Sequence, residues 1–282
     1  MKIRTLAIVG VGLIGGSIAL AARARRVAER IVGVEFDPDT RDFVRDRCLL
    51  DDCFQDVQGV GEDADAIVVC TPVDRIADQL DRAAAVCSSD AFLTDVGSAK
   101  GQIVRDLAKR LPKERRYVGS HPLAGSEKQG AGFAHGELLR DKVVVVTPTD
   151  ATSPTCLEKA REFWQAIGAR VVEMSPAAHD QALALTSHLP HLVAAALAGL
   201  LPPELHGLTA GGFRDTTRVA AGEPELWTGI FLQNRDAILK TVASLEMTIG
   251  QFRTALEAGD RAALDALLTQ GKRNRDALGS RN

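Results

Sequence analysis

The run Gly10-Val11-Gly12-Leu13-Ile14-Gly15 follows a short aliphatic stretch, Thr5 to Val9, and leads into Ser17 to Arg26, a segment of helical character. Few folds accept such a turn between a strand and a helix. Gly10 permits the tight turn, Gly12 lets a diphosphate approach the backbone, and Gly15 lets helix and strand pack closely. The start of that helix offers unpaired N–H groups and partial positive charge to phosphates, and Leu13 and Ile14 within the motif join the expected cofactor site. Glycines also serve ordinary tight turns, so the context matters. Glu35 stands twenty residues after Gly15, at the end of a second apolar run, Ile31 to Glu35. A carboxylate there accepts hydrogen bonds from a ribose 2′-OH and repels a 2′-phosphate. The pattern predicts a dinucleotide site favouring NAD. Arg41 and Arg45 downstream keep NADP as the alternative, and a solvated strand-end acid is the other reading of Glu35.

Further aliphatic runs recur at Ala66 to Cys70, Phe92 to Val96, Arg116 to Val118, Lys142 to Thr147 and Arg170 to Glu173. Helix-like segments, Val73 to Ala85, Lys100 to Leu111 and Thr155 to Ile167, separate several of them. Strands alternating with helices imply an α/β domain with a parallel sheet covered on both faces. Continuous runs such as Val143 to Val146 are expected to be buried on both sides. Ligands in open parallel sheets collect outside the carboxyl ends of the strands. Thr71-Pro72 and Asp95-Val96-Gly97-Ser98 therefore line the expected cleft. Ser98 is a candidate donor or acceptor near a nicotinamide, or an N-cap for the helix near Lys100.

After Ser175-Pro176 the strand signal stops. Asp180 to Leu201 reads as an apolar helix interrupted by Pro190, and Leu226 to Leu256 and Arg261 to Leu268 are also helical. The expected division is a Rossmann-like domain over residues 1–175 and an all-α domain over residues 176–282. Apolar surface from Leu192 to Leu201 predicts that the helical half makes a homodimer. The polar, basic end KRNRDALGSRN reads as a solvated, frayed tail. Net charge is −3 and the pI near 6.1, so no basic field points to nucleic acid or anionic membrane. No apolar run reads as long enough to span a bilayer. The Gly-rich N-terminus lacks a signal-peptide pattern. Five scattered cysteines without a C-x-x-C read as reduced thiols of a cytoplasmic protein.

The segment Tyr117 to Gly130 has the composition of an active-site loop after a strand. Pro122 restricts His121 to extended backbone, and a neutral imidazole suits a general base. Ser126, Glu127 and Lys128 place a hydroxyl and opposite charges nearby, or form a surface turn. Ser187-His188-Leu189-Pro190-His191 puts two histidines on one helical face, for ligand contact or as hydrogen-bonded core histidines. No further ligands stand at zinc spacing, so no metal is expected. Gly211-Gly212-Phe213-Arg214-Asp215-Thr216-Thr217-Arg218 carries two arginines at helical spacing, suited to an acidic substrate or to internal ion pairs. Trp227 follows, as core or pocket.

The succession VGVGLIGGS, DVGSAKG, SHPLAGSEKQG, SHLPH and GGFRDTTR resembles the prephenate and arogenate dehydrogenase family of tyrosine biosynthesis across nearly the whole chain. The resemblance implies a nucleotide-binding domain and a helical domain that forms an intertwined dimer. It implies that His121 is catalytic, that Ser98 assists it at the nicotinamide end, and that His191 borders the substrate. Arg218 would bind the substrate's side-chain carboxylate, and Trp227 falls where the family has a pocket tryptophan. Ser126, Glu127 and Arg214 join the expected substrate site. The chain reads as too short for a chorismate mutase or ACT-type domain, and its segment between SHLPH and GGFRDTTR as short. Substrate choice between prephenate and arogenate rests on one or two pocket residues. Two rivals stand beside this reading. One is a two-domain 3-hydroxy acid dehydrogenase, which would need a catalytic lysine such as Lys240. The other is a non-catalytic NAD-sensing dimer. The acid at position 35 predicts a kcat/KM with NAD well above that with NADP. Initial rates should show this preference relaxed in Glu35→Ser, and comparable wild-type rates with both cofactors would contradict it.

Overall fold

The computed structural model describes residues 3–112, 116–124 and 128–279; Ser126 and Glu127 lie outside them. Strands β1 (Ile3–Val9), β2 (Ala28–Val34), β3 (Asp52–Phe54), β4 (Ala66–Val69), β5 (Phe92–Asp95) and β6 (Arg116–Tyr117) form one parallel sheet in the order β3-β2-β1-β4-β5-β6. Helices α1 (Leu13–Ala24), α2 (Pro38–Asp46), α3 (Ile76–Val86) and α4 (Gly101–Arg110) make the crossovers. Strand β1 shows why the runs lack alternation. Leu6 and Ile8 enter the core on one face, while Ala7 and Val9 enter the core on the other. Strand β3 gave no sequence signal, being three residues long and opening on an aspartate.

A second, three-stranded sheet stands apart from the first. Strand β7 (Gly119–Pro122) pairs antiparallel with β8 (Val143–Thr147), and β8 pairs parallel with β9 (Arg170–Glu173). Two strands expected in the main sheet, at 142–147 and 170–173, thus belong here. His121 also departs from expectation. It lies on a strand opposite Val145 rather than in a loop. Ladder bonds are made by backbone groups, so a short polar strand pairs without an apolar pattern. Helix α5 (Pro154–Ile167) joins β8 to β9 and is capped by Ser153, which accepts from the N–H of Cys156 at 3.2 Å.

The helical part begins with α6 (Pro176–Leu183), a π-helical turn at Ala184–His188, and α7 (Leu189–Gly199). Pro190 does not interrupt the helix. A π turn widens the helix just before it, where the proline ring would otherwise meet the carbonyl of Thr186. Pro176–Gly199 is therefore one 24-residue helix, long and apolar enough by length and composition to cross a membrane, which corrects the expectation from the interrupted pattern. It nonetheless buries His179, Asp180, His188 and His191 within the protein. Then follow α8 (Gly211–Thr217), a 3-10 turn at Arg218–Ala221, α9 (Pro224–Gln233), α10 (Arg235–Glu257) and α11 (Arg261–Ala277). The basic tail is helical through Ala277 rather than frayed. By compactness the chain divides into residues 1–235 and residues 236–282. Ile230 of α9 belongs to one of the two cores flanking the parallel sheet, with Trp227 and Phe231 packed against it.

Beneath the sheet ends lies a fully buried ion pair between Lys100 and Asp95. Asp95 also accepts from Tyr117 Oη at 3.0 Å and from the N–H of Gly97 at 2.9 Å. Lys100 Nζ also donates to the carbonyl of Ser120 at 2.9 Å, tying β5 to β7. Burial pulls the Lys100 pKa down, and Asp95 opposes that. Removing one member of such a pair strands the other charge. Asp95→Ala should therefore cost about 3–5 kcal/mol, read as a lowered urea midpoint. A midpoint near that of wild type would show that the pair does not stabilise the fold.

Candidate active site

The glycine-rich turn forms the expected cradle. Gly10 has φ +91°, and a Cβ there would lie 3.0 Å from backbone atoms of Cys70 and Thr71. A Cβ on Gly15 would fall 2.1 Å from the carbonyl oxygen of Gly10. At Gly12 a Cβ would meet no atom of the described residues within 4 Å, so among them the space before the helix is open. Gly12 is the N-cap of α1 and supplies no side-chain cap, which leaves the first N–H groups of the helix to a ligand. Thr71 Oγ1 is buried and has no hydrogen-bond partner among the described residues. Thr71 and Pro72 follow β4 after Cys70.

Glu35 follows β2 and accepts from the N–H of Val11 at 2.9 Å and from that of Asp37 at 3.2 Å. Its carboxylate thus sits against the glycine-rich turn. The arginines that kept NADP open are engaged elsewhere. Arg41 donates to the carbonyls of Glu35 and Phe36 at 2.7 and 2.8 Å, and Arg45 donates to that of Cys53 at 2.6 Å. These residues fit a dinucleotide whose ribose hydroxyls meet Glu35.

His121 is positioned by its strand. Successive side chains of β7 point to opposite faces. Ser120 turns inward, where its Oγ lies 2.8 Å from Thr94 Oγ1 and accepts from Trp164 Nε1 at 2.9 Å. His121 turns the other way and is half-buried. Its Nδ1 lies 2.9 Å from Nε2 of His179, and Nδ1 of His179 lies 2.8 Å from Oδ1 of Asp180. Asp180 also accepts from the N–H groups of Lys100 and Gly101, each at 2.8 Å. Asp180, from α6, therefore caps α4, the role that Ser98 was a candidate for; Ser98 is half-buried in the loop between β5 and α4. Burial, then His179, Lys100 and His188, hold the His121 pKa well below the ordinary imidazole value.

The helical residues form a second cluster. His191 stacks on Trp227 with ring centroids 3.5 Å apart and 12° between planes. A Cβ on Gly222 would lie 2.6 Å from Trp227 Nε1, so the stack needs glycine there. His191 Nδ1 is buried without a partner among the described residues, and burial lowers the pKa of the ring. His188 is fully buried; its Nδ1 lies 3.0 Å from Nδ2 of Asn234, which also donates to the carbonyl of Asp180 at 2.8 Å. Burial outweighs the opposing pull of Asp180 and takes the His188 pKa down to about 4. The 3-10 turn that opens with Arg218 packs along α7, the helix of His191. Arg218 itself is exposed, as is Arg214 on α8.

Sequence reasoning missed His179, Asp180, Lys100 and Asn234. An adjacent His-Asp pair at a helix start was visible. Its meeting with a histidine 58 positions earlier was not.

The chain matches the family models for the prephenate dehydrogenase nucleotide-binding domain over residues 18–173 and the prephenate dehydrogenase dimerization domain over residues 175–270. It is 36% identical to the cyclohexadienyl dehydrogenase of Zymomonas mobilis, over 90% of this chain and 89% of that one. The structure of prephenate dehydrogenase from A. aeolicus in complex with hydroxyphenyl propionate and NAD+ superposes with a TM-score of 0.92 at 32% identity, covering 99% of each chain. Synechocystis arogenate dehydrogenase gives a TM-score of 0.82 at 33% identity, over 97% of this chain and 99% of that one. On both sequence and fold, the chain belongs to the prephenate dehydrogenase family.

Proposed function

We propose that the chain is an NAD-dependent oxidoreductase that oxidatively decarboxylates prephenate to 4-hydroxyphenylpyruvate, arogenate to tyrosine, or both. The observation that carries this reading is His121, held on β7 with Nδ1 engaged by His179, which leaves Nε2 for a substrate hydroxyl. The substrate is a cyclohexadienol bearing a ring carboxylate. His121 accepts the hydroxyl proton while hydride leaves the same carbon. Bound NAD supplies the hydride acceptor, and Glu35 holds its ribose. Ser98 orients the hydroxyl. Loss of carbon dioxide makes the ring aromatic, which drives the reaction without metal assistance.

Arg218 anchors the side-chain carboxylate of the substrate. The His191–Trp227 stack borders the ring, and Arg214 joins the pocket. The functional division we propose runs at residue 175. The compact units divide later because Ile230 of α9 joins a core that flanks the parallel sheet. In residues 236–282, Met247, Ile249, Leu256 and Leu268 are each more than half exposed. Burying such side chains is worth roughly 1.5–3 kcal/mol apiece, which favours a homodimer through the helical part.

Light scattering at micromolar protein should give the mass of a dimer; a monomer mass would count against that assembly. Arg218→Ala should raise KM for substrate strongly, by a loss of about 2–4 kcal/mol, with kcat much less affected and NAD binding unchanged. His121→Asn should bind both ligands and lower kcat by ~10²–10⁴-fold. The base must be neutral, and the His121 pKa is lowered below its ordinary 6.5. The acid limb of kcat/KM, which reports the free enzyme, should therefore lie below the range of free imidazole and vanish in His121→Asn. Near-normal kcat in that variant would make His121 a structural residue.

A further inference from the structure

We propose that His179 and Asp180 are positioning residues that fix His121 as the Nδ1–H tautomer, present its Nε2 lone pair to the substrate, and share the charge formed there. The proposal rests on the reading of His121 as the base. Ionised carboxylates only accept hydrogen bonds. Asp180 accepts two backbone N–H bonds at the start of α4, where the helix end favours negative charge. Burial works against its ionisation, but the bonds from His179, Lys100 and Gly101 outweigh it and hold its pKa below the usual carboxylate range. Nδ1 of His179 must then donate to Asp180. In the neutral ring this leaves Nε2 of His179 as an acceptor, so Nδ1 of His121 donates to it. The lone pair of His121 is consequently on Nε2. A reversed line, with His179 donating to His121, would place the hydrogen on Nε2 and remove the base.

The surroundings explain why such a line matters. His179 from α6, Lys100 from the start of α4 and His188 from the π turn face His121, and each disfavours its protonated form. Asp95 neutralises Lys100 from β5. When Nε2 of His121 gains the substrate proton, the N–H at its Nδ1 can break as one forms at Nε2 of His179. The positive charge then lies on His179, against the carboxylate of Asp180, and His121 is neutral again. No other reactant is needed.

The test has two independent arms. ¹⁵N-detected NMR of histidine-labelled wild type, with His121 assigned by its loss in His121→Asn, should show Nδ1 protonated and Nε2 unprotonated. A protonated Nε2 in the resting enzyme would overturn the proposal without any variant. In the second arm, His179→Phe should lower kcat by ~10–100-fold, the scale on which groups that orient a catalytic residue act, with KM and NAD binding kept. Its acid limb should move to higher pH, since His179 is among the groups that hold the His121 pKa down. His179→Gln, whose carbonyl can accept from Nδ1, should recover part of the loss. Wild-type kcat and an unmoved acid limb in His179→Phe, with His121→Asn still inactive, would sink the relay and leave the base reading intact. Activity in His121→Asn would sink the base reading itself.

Discussion

The carboxylate of Asp180 ties together parts of the structure that are far apart in sequence. It takes the first backbone N–H groups of α4, and so holds the end of the loop that carries Ser98. Its own ring neighbour, His179, reaches His121 on β7. Its backbone carbonyl accepts from Asn234, which lies against His188. A helix N-terminus left uncapped in a protein interior carries unsatisfied donors, and an anion is the group best suited to it. Here that structural need and the hydrogen-bonded line behind His121 are met by one residue.

The buried Lys100–Asp95 pair does similar work one layer down. It links the loop after β5, the tyrosine at the end of β6 and the backbone of β7 through hydrogen bonds that leave neither charge alone. Buried pairs of this kind contribute little net stability compared with apolar residues, but they penalise any other arrangement of the elements they join. The strand that holds His121 is four residues long. Its placement depends on Ser120, whose side chain and carbonyl are both bonded inward.

The long helix from Pro176 to Gly199 brings its polar residues into the protein by a local irregularity. A π turn inserts one extra residue into the helix just before Pro190, which accommodates the missing donor and changes the faces on which His188 and His191 emerge. His188 then meets Asn234, and His191 stacks on Trp227. The heptad-like spacing of a regular helix does not predict this outcome. It arises because a polar pair and a proline share one turn of an otherwise apolar segment.

The glycine-rich turn, Glu35 and the runs at Ile67 and Leu93 were legible from sequence because each is local. A tight turn needs glycine whatever surrounds it, and strands buried on both faces must be apolar throughout. The His-Pro step likewise announced extended backbone at His121. What the sequence could not reveal were the second sheet, the short polar strands β3 and β7, and the line from His121 to Asp180. Backbone pairing leaves no mark on side-chain pattern, and the hydrogen bonds of His179 and Asp180 join positions separated by 58 and about 80 residues. The cradle was therefore decided by local chemistry. The orientation of His121 was decided only when three elements closed on one another, because the polarity of a hydrogen bond is fixed by the partner at its far end.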